Sequence, residues 1–178
     1  NYMMGFDINI VNMQDVIDEN STYLAFDWKL DLTQQEKSLK NELMNTNIYF
    51  KPAEDKVDYL KENSDDKKDK LHNIKWVSFK QQFFSSTLLS DASFKEASLE
   101  IVQQKDTLFP GYLKTLSASI TFPYDKGPEQ SYPMSMYFGP TKYKILNSYD
   151  LGLERQIPLG WGFFLLHWIN RLAVIPVF

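Results

Sequence analysis

Tyr23-Leu-Ala-Phe-Asp-Trp-Lys-Leu-Asp-Leu32 places an apolar side chain at every second position. Leu24, Phe26, Trp28, Leu30 and Leu32 alternate with Tyr23, Ala25, Asp27, Lys29 and Asp31. A period of two puts the two sets on opposite faces of an extended strand, one apolar and one partly charged. An antiparallel sheet with one solvated face accepts that pattern. The preceding stretch repeats it: Tyr2, Met4, Phe6, Ile8 and Ile10 share one face. Between the two, Asp18-Glu-Asn-Ser21 supplies turn chemistry.

Outward from this pair, residues 33–45 admit two readings. Thr33-Gln-Gln-Glu36 fits a capping box, but Lys37-Ser-Leu-Lys-Asn-Glu-Leu-Met44 has a weak apolar stripe. A short helix and a long polar connection both suit it. Asn47-Ile-Tyr-Phe-Lys51 returns to strand character. Residues 54–70 mix acids and lysines, with Val57, Tyr59 and Leu60 as their apolar residues, and predict a solvated, partly mobile loop. From Ile74 to Leu89, aromatic and β-branched residues predict strand, with a bend or bulge near Gln81 and Gln82. Ala97–Gln103 and Leu116–Phe122 are further strands, separated by a turn at Phe109-Pro-Gly-Tyr112. After the loop Pro123-Tyr-Asp-Lys-Gly-Pro128, Met134, Met136 and Phe138 alternate again. Pro133 there points to an edge or strand-start position. Gly139-Pro140 ends the strand, and a short helix near 140–149 follows, buried through Ile145, Leu146 and Tyr149. Many short strands with little helix predict an all-β sandwich of antiparallel strands.

The chain finishes on Gln156-Ile-Pro-Leu-Gly-Trp-Gly-Phe-Phe-Leu-Leu-His-Trp-Ile-Asn-Arg-Leu-Ala-Val-Ile-Pro-Val-Phe178. On a helix, His167, Asn170 and Arg171 share one face, leaving a wide apolar face. A helix docked on a core fits this segment, and so does an amphipathic helix lying in a membrane interface. It is marginal for a span, which needs about 20 uninterrupted apolar residues.

The chain of 178 residues carries a net charge of -4, so no basic surface argues for nucleic acid. Aromatic residues make up 15% of it, which favours a packed core over disorder. Cysteine is absent, which removes disulfides, thiol nucleophiles and thiolate metal sites together. The start has no basic, apolar signal-peptide pattern and opens directly on a strand without methionine, so a piece of a longer protein is expected. No phosphate loop, nucleophile elbow, metal-ligand spacing or cofactor motif occurs. His72 and His167 have no local catalytic partner and read as surface or interfacial residues. Asp27 with Asp31, and Glu96 with Glu100 on a presumed helix, are paired carboxylates that solvated faces explain as well as acid–base chemistry. A carbohydrate-binding sandwich is the alternative class, with Tyr124 and Tyr132 as stacking candidates. Trp28 sits on the apolar face of its strand and reads as core.

Three blocks carry a resemblance to the large periplasmic domain of YidC-type membrane protein insertases. Trp76-Val-Ser-Phe-Lys-Gln-Gln-Phe-Phe-Ser-Ser86 resembles the family's Trp-Val-Ala-x-x-Gln-Gln-Tyr-Phe element, through Trp76, Gln81, Gln82 and Phe83. Tyr137-Phe-Gly-Pro-Thr-Lys142 resembles its aromatic-Gly-Pro element, through Gly139 and Pro140. Leu159-Gly-Trp-Gly-Phe-Phe resembles its Tyr-Gly-Trp entry to the membrane, through Gly160 and Trp161, with Leu159 in place of the tyrosine. The order and spacing agree over 74–178.

The resemblance implies a galactose-mutarotase-like β-supersandwich over residues 1–158. Residues 159–178 would form an interfacial amphipathic helix leading to a missing transmembrane span, with Trp161, Phe163, Phe164, Leu165, Trp168, Ile169 and Leu172 in the membrane interface. It implies a non-catalytic module without cofactors on the periplasmic side of the inner membrane. Nascent membrane proteins and accessory subunits of the Sec translocon would be its partners. The family domain is usually longer at its start, so Tyr2–Val11 or its neighbour is expected as an exposed edge open to edge-to-edge dimerisation.

Overall fold

The computed structural model describes residues 1–60, 66–103 and 111–158. Its strands are β1 (Met3–Val11), β2 (Tyr23–Thr33), β3 (Asn47–Pro52), β4 (Asp58–Tyr59), β5 (Asp66–Lys80), β6 (Phe84–Gln103), β7 (Tyr112–Pro123) and β8 (Glu129–Pro140). The helices are α1 (Leu39–Asn45), α2 (Tyr143–Asn147) and a 3-10 turn at Leu153–Gln156. Every pairing between strands is antiparallel among the described residues. The expected all-β sandwich with a short helix after Pro140 is therefore what the chain builds.

One long ribbon organises it. β5 and β6 pair along nearly their whole length, but the register shifts between Ile74 and Trp76. Nearby, Asn73 and Ser93 adopt left-handed φ of 53° and 64°. A bulge of this kind bends a strand and raises its twist. Beyond the bend, β6 changes neighbours: Phe84–Leu89 pairs with β8, and Glu96–Gln103 pairs with β7. The ribbon thus feeds two layers. One layer runs β1-β8-β6-β5-β3-β4, and the other adds β7 and β2 to the far half of β6.

The layers close over a core containing Ile48, Phe50, Val77, Phe79, Leu88, Leu99, Leu116 and Ile120, with the apolar faces of β1 and β2 packed against it. Trp28 stacks on Phe79 with ring centroids 3.8 Å apart and an interplanar angle of 16°. That contact joins β2 to the opposite layer and places Trp28 in the core, as its strand face predicts.

Four local readings change. The segment Ile74–Leu89 is not one bent strand but a hairpin, closed where Gln81 N–H donates to Phe84 O at 2.8 Å. Asp66–Lys70, expected within the charged loop 54–70, is the start of β5 and borrows its order from Leu99, Glu100 and Ile101 of β6. Glu96 and Glu100 stand on strand β6 rather than on a helix. The helix at Leu39–Asn45 is capped by Ser38, whose Oγ accepts from Asn41 N–H at 3.4 Å, and not by Thr33. Thr33 is the last residue of β2, and the carboxylate of Glu42 instead folds back to accept from Gln35 and Glu36 N–H.

Candidate functional site

The outer face of the first layer carries a second apolar cluster: Tyr49, Trp76, Leu89, Tyr137, Leu146 and Leu153. It exists because strand side chains alternate, so Trp76 and Tyr49 face away from Val77 and Phe50. α2 and the 3-10 turn cover this face. Trp76 is 1% exposed, and its indole Nε1 donates to Leu151 O at 3.0 Å. Further along β5, Ser78 Oγ donates to Gln156 Oε1 at 2.8 Å and accepts from Thr87 Oγ1 at 2.7 Å, all buried. The two hydroxyls and Gln156 Oε1 satisfy one another, while Gln156 Nε2 is buried without a hydrogen-bond partner among the described residues.

Two of the motif stretches, Trp76–Ser86 and Tyr137–Lys142, lie side by side at the edge of this face. Thr141 N–H donates to Phe83 O at 2.8 Å and Thr141 Oγ1 donates to Gln82 O at 2.9 Å, which locks the β5–β6 turn to the end of β8. Gly139 leaves room for Tyr137: a Cβ on it would lie 2.6 Å from Tyr137 Oη and 2.8 Å from Tyr2 Cγ. Tyr137 Oη donates to Pro140 O at 2.8 Å. Burial pushes its pKa up to about 12, with Tyr149 and Tyr2 adding to the effect. Trp76, Gln81, Gln82, Gly139 and Pro140 therefore build the frame, while Phe83 is 54% exposed. Gly160, Trp161, Phe163, Phe164, Leu165, Trp168, Ile169 and Leu172, with the expected C-terminal helix, lie outside the described residues.

Beside this frame opens a cavity of about 660 Å³, lined in part by Lys51, Lys75, Asp91, Tyr149, Asp150 and Arg155. No histidine lines it among the described residues. His72 stands elsewhere on an exposed strand, its Nδ1 3.9 Å from Glu96. The carboxylate pair Asp27 and Asp31 is spent on cross-strand bonds, accepting from Ser119 Oγ at 2.6 Å and Thr115 Oγ1 at 2.7 Å. Bonds from Tyr112 and Thr115 hold Asp31 below the usual carboxylate range.

The stacking candidates fare differently from expectation. Tyr124 is 5% exposed and has no face to offer a sugar. Tyr132 is half-buried, packs against Phe122 with centroids 4.9 Å apart and donates to Pro123 O at 2.6 Å. The sequence reading also missed two buried lysines. Lys114 Nζ donates to Leu43 O at 2.7 Å and Thr46 O at 2.8 Å, and Lys80 Nζ donates to Asn45 O at 3.0 Å. Both gather the carbonyls at the end of α1, where a helix favours cations. The available signal was weak: a lysine at a position where the strand alternation asks for an apolar residue.

The family model of the YidC periplasmic domain matches residues 1–172. The membrane protein insertase YidC of Phocaeicola vulgatus is 34% identical over 185 residues, covering 99% of this chain and 29% of that protein. The protein of the same name from Parabacteroides distasonis is 32% identical over 187 residues, covering 99% of this chain and 28% of that protein. The chain spans less than a third of the length of these relatives.

Proposed function

The chain belongs to the YidC periplasmic domain family, and on that premise we propose that it is the non-catalytic extracytoplasmic domain of an inner-membrane insertase. It assists the insertion and folding of membrane proteins by contacting the emerging substrate or accessory subunits of the Sec translocon. In this reading residues 1–158 are the folded module. Residues 159–178 are the interfacial segment, with Trp161, Phe163, Phe164, Leu165, Trp168, Ile169 and Leu172 entering the lipid boundary.

The observation that carries the reading is the edge of β1. Nine residues, Met3–Val11, pair with β8 on one side, and no strand pairs with the other side among the described residues. Asp7 is the one charged residue in the strand, so the strand's own side chains offer little charge against strand addition. An extended segment of a translocating protein, or of an accessory subunit, can add to such an edge through main-chain hydrogen bonds.

Site-specific photocrosslinking in the intact insertase tests this. A photoreactive side chain at Asn9 on β1 is expected to capture a stalled nascent membrane protein or a Sec subunit. The same probe at Ser117, on a strand flanked by both β2 and β6, is expected to capture neither. Equal yields from the two positions would sink the proposal. For the tail, changing Trp161, Phe164 and Trp168 to Ser is expected to abolish flotation with liposomes, and unaltered flotation would refute the interfacial role.

A further inference from the structure

One end of the sandwich exposes apolar side chains that its own packing does not use. Phe83 and Phe84 in and after the β5–β6 turn are 54% and 61% exposed, and Phe138 on β8 is 51% exposed. In register, Phe84 stands opposite Pro140 and Phe138 opposite Ser86, so Phe84 and Phe138 are diagonal neighbours on one face. α1 shares this end, because Lys80, one residue before the turn, bonds Asn45 O. It adds Leu39 at 46% and Met44 at 45% exposure, beside a shallow groove formed with Leu43 and Lys40. Large exposed apolar residues gathered in one place mark an interaction surface.

Charge separates this end from the other. Lys37, Lys40 and Lys142 are exposed around it, with Glu36 half-buried beside Lys37 and Glu42 buried with its carboxylate bound to loop amides. The opposite end, made of the β1–β2 and β7–β8 connections, exposes Asp15, Asp18, Glu19, Asp125 and Glu129 against Lys126, and its exposed apolar residues Val11, Val16 and Tyr23 stand beside these carboxylates. The course of the chain points the same way. Leu151 is bonded to Trp76 and Gln156 to Ser78, so the backbone advances along β5 toward the turn. The sequence that follows is Leu159-Gly-Trp-Gly-Phe-Phe, with Trp161 and Trp168.

We propose that this end, formed by α1, the β5–β6 turn and the end of β8, rests on an anionic lipid surface and sets the orientation of the domain above the bilayer. The aromatic and aliphatic tips enter the headgroup boundary while the lysines meet anionic headgroups. The acidic end then faces away from the lipid. The inference rests on the insertase reading, but it concerns a surface within residues 1–158 rather than the tail.

The chain contains no cysteine, so single labels are unambiguous. An environment-sensitive fluorophore is attached at Asn41→Cys on α1 or at Asp15→Cys at the acidic end. Each protein is mixed with phosphatidylglycerol–phosphatidylcholine vesicles carrying a headgroup-proximal quencher lipid. Strong quenching is expected at position 41 and little at position 15. In the Asn41→Cys background, Phe83→Ser with Phe84→Ser is expected to weaken the vesicle affinity read at that label about tenfold, since both side chains lose apolar burial. Both residues are exposed, so the fold is kept.

Equal quenching at the two positions, or an unchanged affinity in the double variant, overturns the proposal. A blue shift at position 41 that grows with protein concentration without vesicles assigns the patch to a second copy and also overturns it. Flotation without quenching at position 41 sinks the orientation and leaves the insertase reading standing. Loss of the β1 crosslinks sinks the insertase contact and leaves the vesicle result intact.

Discussion

Ser78 and Gln156, 78 residues apart, share a buried hydrogen bond of 2.8 Å that fixes the last described turn to the middle of the sheet. Thr87 completes the chain by donating to Ser78. Ser78→Ala leaves Gln156 Oε1 without its donor and Thr87 Oγ1 without its acceptor in a dry setting. A loss of about 1–3 kcal/mol is expected, the usual cost of stranded buried polar groups. Urea denaturation measures it, and hydrogen exchange should show the loss of protection concentrated in residues 151–157. Uniform loosening of the whole domain would contradict this assignment.

Gly139→Ala is expected to destabilise by about 1–3 kcal/mol, the range for overpacking. The added Cβ would sit 2.6 Å from Tyr137 Oη, and Tyr137 is fully buried, so its ring has nowhere cheap to go. A second substitution, Tyr137→Phe, removes the closest atom and should recover part of the loss. Strict additivity of the two changes would show that the clash is not the cause.

Tyr137 also predicts an alkaline limb of stability. Its pKa is pushed up to about 12 in the folded chain, against 10 for an ordinary tyrosine. Below pH 10 the phenol is neutral in both states and its contribution is fully present. Between pH 10 and 12 the unfolded chain ionises first, so stability falls as pH rises through this window. Tyr112 and Tyr132 are raised as well, chiefly by burial, so the diagnostic is a difference. Tyr137→Phe should flatten part of the decline measured by urea midpoints between pH 9 and pH 12, from roughly one unit below the ordinary tyrosine value up to the folded one. Parallel curves for the two proteins would refute it.

Trp28→Ala tests how the layers are held. The indole stacks on Phe79 from the opposite layer and is partly buried, so the expected cost is about 3 kcal/mol, the lower end for large aromatic truncations. A change below about 1 kcal/mol, the size of a surface substitution with few contacts, would mean that the two layers are joined elsewhere.

What the sequence makes legible follows its periodicity. Leu24–Leu32 and Met134–Phe138 announce their faces because each alternates strictly, although β2 pairs on one side and β8 on both. The β5–β6 hairpin does not, because Lys80-Gln-Gln-Phe83 has no glycine, proline or asparagine. Gln81 N–H closes it onto Phe84 O, and Thr141, nearly sixty residues away, ties it down. Asp66–Lys70 looks like solvated loop because its order is supplied by β6 and not by its own residues. In the site, Trp76 and Gly139 were readable as motif positions, whereas the Ser78–Gln156 bond joins two unremarkable polar residues that only the fold brings together. Tyr124 was misread because loop position does not reveal burial.

Lys114 gives the last prediction, and two opposing terms decide its form. The side chain is fully buried, and its ammonium gathers Leu43 O and Thr46 O at the end of α1. Replacing it by Met removes the cost of desolvating a charge, which by itself is neutral or stabilising in many buried sites. The same change strands two carbonyls that no longer meet a donor, at about 1–3 kcal/mol each. The terms are similar in size, so global stability should move by less than about 2 kcal/mol, with the helix bearing the damage. α1 spans seven residues and cannot hold itself without tertiary ties. Lys114→Met is therefore expected to lower amide protection of residues 42–46 by about tenfold or more, the factor that corresponds to roughly 1.4 kcal/mol of local opening. Because α1 carries Leu39, Met44 and Lys40, the same variant should lose the vesicle quenching of a label at Asn41. Retained protection together with retained quenching would show that α1 is held by Lys80 and its apolar contacts instead.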